Sequence, residues 1–141
     1  MRKFFLRITL YVLRTMISFI RSRIISFGHA FRGLWYVLRT QKNAWIHALA
    51  TAAVAILGFW LALPPRDWAV LALTISTVWM AEVLNTSIEA VVDLASPVHH
   101  PLAKVGKDVG AAAVLVAAIV SVLVGLLILG PPLWEKILSF F

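Results

Sequence analysis

Residues Met80–Leu94 read MAEVLNTSIEAVVDL. The stretch follows a run of apolar residues, yet it holds Glu82, Asn85, Glu89 and Asp93. At about 100° per residue, these four side chains and Thr86 fall on one stripe roughly 100° wide. Val83, Leu84, Ile88, Val91 and Val92 occupy the rest of the wheel. A charged group in or near a bilayer is costly, so it turns toward protein or a water-filled cavity. Three carboxylates on one stripe also repel one another, so cations or cationic side chains are expected beside them.

Composition puts this helix in a membrane. The chain of 141 residues is 62% apolar and 13% charged. A soluble all-helical domain of this size cannot bury that much apolar surface without a large exposed patch. With no cysteine, disulfides and thiolate metal sites are excluded.

The six prolines fall at Pro64-Pro65, Pro97 and Pro101, and Pro131-Pro132. They divide the chain into apolar runs at about 44–63, 68–94 and 109–130, each read as a transmembrane helix. Trp45, Trp60, Trp68 and Trp134 lie near the expected boundaries and read as an aromatic belt. Residues 133–141 are expected to form a short tail.

The net charge is +7, and nine of the thirteen Lys and Arg lie within residues 1–43, which hold no acid. Arg7, Arg14 and Arg21 recur every seven residues among Phe, Leu and Ile, as do Arg32 and Arg39. That pattern favours a membrane surface over nucleic acid, with amphipathic helices in the interface. A signal peptide is the competing reading, but arginines interrupt any apolar core and no small-residue cleavage site follows. Gly28 is expected to separate a surface extension, 1–28, from a second interfacial helix, 29–42. The basic amino terminus is expected inside the cell, with Lys104 and Lys107 on the same side.

Lys107 and Asp108 open the third span, where Gly106 and Gly110 have the spacing that lets helices approach closely. Carboxylates, an amide and a lysine suit a metal–nucleotide complex, although no P-loop is present. The residues alone also admit a structural hydrogen-bond seam or a proton or ion pathway. His99-His100 read as a solvated loop pair or a metal site, and His47 as an interfacial or packing histidine. A transporter or channel fits less well: the first span offers only His47 and Thr51, and the third only Ser121.

AEVLNTSIEAVVDL, HHPLAK and GKDVGAAAVL closely resemble the small prokaryotic diacylglycerol kinase family, which includes undecaprenol kinases. The likeness runs from about His29 to about Gly130. It rests on E-x-x-N-[TS]-x-I-E-x-x-V-D, followed at the expected distance by Lys-Asp. The resemblance implies a homotrimer of three-span subunits in the bacterial inner (plasma) membrane, with cytoplasmic active sites shared between subunits. It implies transfer of the γ-phosphoryl group of MgATP to a lipid hydroxyl. Carried over by motif, Glu82 would be the general base at the lipid substrate and Glu89 would bind Mg²⁺. Asn85 and Asp93 would support the ATP site; Lys107 and Asp108 would contact nucleotide, and His100 would lie on the adenine side. Two positions depart from the family: Gln41 stands where an acid usually shares the metal, and Val98 where an acid commonly precedes the histidines. Their loss of acid motivates a second reading, a weakened member acting as a membrane scaffold or regulator.

Overall fold

A computed structural model describes residues 2–141 as helix joined by short connections. Among the described residues there are four helices: α1 (Arg2–Thr40), α2 (Lys42–Trp60), α3 (Pro65–Ala95) and α4 (Pro101–Leu138). The last three are long and apolar enough to cross a membrane. Contacts divide the chain into one unit ending at Tyr36 and another beginning at Val37.

In the first unit α1 passes unbroken through Gly28, so the expected separation there does not occur. A lone glycine costs a helix only about 1 kcal/mol, which the flanking helix-formers offset.

In the second unit α3 and α4 pack along most of their length, and α2 touches both. The turn from α2 to α3 is built from hydrogen bonds. The Leu63 N–H donates to the Gly58 carbonyl (3.1 Å) and the Ala62 N–H to the Phe59 carbonyl (3.2 Å). This Schellman closure needs a left-handed residue, and Ala62 takes it at φ 52°. Pro64 and Pro65 then cap and open α3, where a missing N–H costs nothing. Trp68 lies against Gly58, where a Cβ would come within 2.8 Å of its ring, and stacks on Phe59 at 4.7 Å between centroids. Trp68 is therefore a packing residue as well as a boundary one. Leu63, Leu71 and Leu129 form the buried apolar cluster beside it.

Two expected boundaries move. The third span does not stop at Pro131-Pro132; α4 continues to Leu138 and takes in most of the expected tail. Prolines are tolerated near the end of a membrane helix because few hydrogen bonds are lost there and other groups can meet the freed carbonyls. At the other end α4 already begins at Pro101, so Lys104, Lys107 and Asp108 stand on helix and the connecting loop shrinks to Ser96–His100.

Candidate functional site

The close approach of α3 and α4 creates the site. A Cβ at Gly110 would collide with Oδ1 of Asn85, whereas one at Gly106 would meet only Val92 Cγ2 at 3.7 Å. Gly110 thus makes room for the buried Asn85 amide. Asn85 Nδ2 donates to Glu89 Oε1 at 3.1 Å, and Gln41 Nε2 donates to Glu89 Oε2 at 3.2 Å. The Glu89 carboxylate is bracketed by two amides, each able to present a carbonyl oxygen instead if it turns over.

Seven residues along α3, about 10 Å away, lies Glu82, only 1% exposed. Its Oε2 is 3.7 Å from Nε2 of His47, and neither atom has a hydrogen-bond partner. His47 meets the ring of Trp79 edge-on at 6.4 Å. The Trp79 indole N–H donates to Thr51 Oγ1 (3.2 Å), and the Thr51 hydroxyl donates to the His47 carbonyl (2.7 Å). Gln41, His47, Glu82, Asn85 and Glu89 line one cavity of about 240 Å³. From His47 an apolar groove of about 180 Å³ continues past Val54, Val78 and Val122.

The expected stripe does not act as one group. Asp93 pairs with Lys107 at 2.5 Å, one turn beyond Glu89, and faces a separate crevice of about 390 Å³ with His100, Lys104 and Asp108. Asp108 accepts a hydrogen bond from Lys104 on its own helix at 3.1 Å and lines the same crevice. His100 caps α4, its Nδ1 accepting from the Leu102 N–H at 3.2 Å. Val98 lies exposed on the same crevice.

Among the described residues no three His, Asp or Glu side chains converge as a metal cage. Mg²⁺ does not need one, since it commonly takes one or two carboxylates, water and substrate phosphates. Glu89, with the Asn85 and Gln41 amides beside it and the unpartnered Asn85 Oδ1 nearby, fits that mode as an oxygen-donor set.

Sequence reasoning missed His47 as a neighbour of Glu82. The available signal was His47 and Thr51 one turn apart in an otherwise apolar run, a polar patch that needs a partner.

A sequence model of the prokaryotic diacylglycerol kinase family matches residues 28–129, and the chain belongs to that family of ATP-dependent membrane lipid kinases. Among individual proteins, it is 47% identical over 108 residues to the undecaprenol kinase of Bacillus subtilis (strain 168), a match covering 77% of this chain and 88% of that one. It is 45% identical over 111 residues to the diacylglycerol kinase of Synechocystis sp., covering 78% of this chain and 63% of that one. With the diacylglycerol kinase of Escherichia coli (strain K12) it shares 33% over 110 residues, covering 72% and 84%.

Proposed function

We propose that this chain moves the γ-phosphoryl group of ATP onto the hydroxyl of a membrane lipid, with Glu82 as the base. The observation that carries this reading is the depth order on α3: a buried carboxylate with an unpartnered oxygen lies about 10 Å below a second carboxylate held by amides. A lipid hydroxyl arrives from the bilayer and phosphates arrive from water. The base therefore belongs on the lipid side, which here is the inner leaflet, with the amino terminus cytoplasmic.

In this mechanism the apolar groove beyond His47 receives the lipid chain and leaves its hydroxyl at Glu82. Glu82 Oε2 takes the hydroxyl proton as the lipid oxygen bonds to the γ-phosphorus; the bond to the bridging oxygen breaks and ADP leaves. Glu89, with Asn85 and Gln41, would hold Mg²⁺, which when bound neutralises phosphate charge. Lys107, kept in place by Asp93, supplies the cation for the phosphates, and His100 and Asp108 border the crevice for the rest of the nucleotide. Positioning and charge neutralisation are most of what phosphoryl transfer asks of a protein. A homotrimer with sites shared between subunits completes the proposal.

Diacylglycerol and undecaprenol both present a primary hydroxyl, and the identities to the two kinds of relative are nearly equal. Purified protein in mixed micelles, given labelled ATP and a panel of lipid alcohols, identifies the acceptor. Glu82→Gln should abolish transfer while nucleotide still binds; turnover that survives this change refutes the assignment of the base. The Gln41–Glu89 hydrogen bond favours a second reading, a weakened scaffold, because an amide there adds no charge for the metal. ATP binding without transfer to any lipid would select it.

A further inference from the structure

Residues 1–27 lie outside the family match and are unused by the mechanism. Because α1 runs straight through Gly28, Arg7, Arg14 and Arg21 before that glycine share one helical phase with Arg32 after it. Arg7, Arg14, Arg21 and Arg32 fall within about 40° of a single line. They form an exposed ridge roughly 38 Å long. A break at Gly28 would have left Arg32 out of register with the other three. Arg32 also bonds to His29 Nδ1 at 2.8 Å, which uses one of its five donors.

About a third of a turn around the helix, Met16, Ile20, Ile24, Phe27 and Phe31 form an apolar face, all of them exposed. Arg23 lies on the other side of that face, its guanidinium 5.2 Å from the Phe19 ring. Cations flanking an apolar face are placed to reach up to phosphates while the face sinks below them.

We propose that α1 is a docking surface for anionic lipid, the arginine ridge engaging head-group phosphates and the Met16–Phe31 face entering the acyl boundary. Charge decides between occupants. A second α1 brings no acid to the ridge, because the first acidic residue of the chain is Asp67. Nucleic acid offers phosphates but nothing for the phenylalanines and isoleucines. Only an anionic bilayer satisfies both faces. Each arginine near such a surface contributes about 1 kcal/mol, which is about a fivefold change in the ratio of attached to released helix.

The chain contains no cysteine, so Ile24→Cys gives the full-length protein a single site for a nitroxide label. Its immersion depth is read from oxygen and nickel-complex accessibility in proteoliposomes of phosphatidylcholine, with and without phosphatidylglycerol. The label should sit deeper with phosphatidylglycerol and rise toward water as salt goes from about 0.05 to about 0.5 M. Changing Arg7, Arg14, Arg21 and Arg32 to Gln should abolish the lipid dependence, and changing them to Lys should keep it. A depth equal in both bilayers and indifferent to the glutamine changes overturns the proposal. So does a label whose only contacts, by dipolar broadening, are with a second α1, or protection that appears on adding RNA in place of phosphatidylglycerol. No turnover is read, so the result stands or falls apart from the kinase assignment.

Discussion

Gly110→Ala tests the architecture of the site most directly. The added methyl would occupy the place of Asn85 Oδ1, so Asn85 must rotate away and its hydrogen bond to Glu89 breaks. Overpacking of this kind costs about 1–3 kcal/mol. Losing a hydrogen bond to a charged group costs about 1.5–3 kcal/mol. Alanine returns about 1 kcal/mol of helix propensity, leaving a net loss of about 1.5–5 kcal/mol. Gly106→Ala is the internal control, because its methyl meets Val92 at ordinary contact distance and should be neutral or stabilising by up to about 1 kcal/mol. Thermal unfolding in detergent and a Mg²⁺ titration of lipid phosphorylation read both effects. Gly110→Ala should melt lower and need more Mg²⁺, and in an Asn85→Ala background the same change should cost little, since the clashing atom is gone. Equal melting temperatures and Mg²⁺ profiles for the two glycine variants would refute the reasoning.

Three further outcomes are expected. Gln41→Glu should tighten Mg²⁺-dependent ATP binding about tenfold, or about 1.4 kcal/mol, and lower the melting temperature when Mg²⁺ is withheld, because two adjacent carboxylates then repel; calorimetry with and without Mg²⁺ checks both signs. His47→Gln should reduce kcat about tenfold or more with the KM for ATP unchanged, since the imidazole faces Glu82 and not the nucleotide crevice; a shift confined to the KM for ATP would remove His47 from the base. Ala62→Gly should raise stability by about 1 kcal/mol in a thermal melt by relieving a left-handed backbone, with turnover unchanged.

Much of the fold was legible because its determinants are local. Apolar run length specified three membrane helices with prolines as breaks between them, although α3 and α4 begin at Pro65 and Pro101, ahead of the expected 68 and 109. The same rule failed at Pro131-Pro132 and at Gly28, where propensity is a weak signal against a long helix on either side. The site was legible as a stripe but not as a set of contacts. Glu82, Asn85 and Glu89 do share a cavity, since one helix face fixes them. The partition of Asp93 to Lys107, and the approach of His47 to Glu82, depend on how separate helices are placed, which periodicity within one helix does not encode. Gly110 was readable as a place of close approach, but not that Asn85 fills it.

The paired prolines in α4 have a consequence for where water stands. Neither Pro131 nor Pro132 has an N–H, so the carbonyls of Leu127 and Ile128, four residues back, lose their ordinary i+4 donor. Both residues border a crevice of about 360 Å³ that also holds Asp67 and Glu135. Hydrating those two oxygens from that crevice sets an upper limit to the dry layer at this end of the bundle. The non-polar slab that the protein fits is then thinner than the 38-residue helix would suggest, and a thicker bilayer would have to thin locally around it.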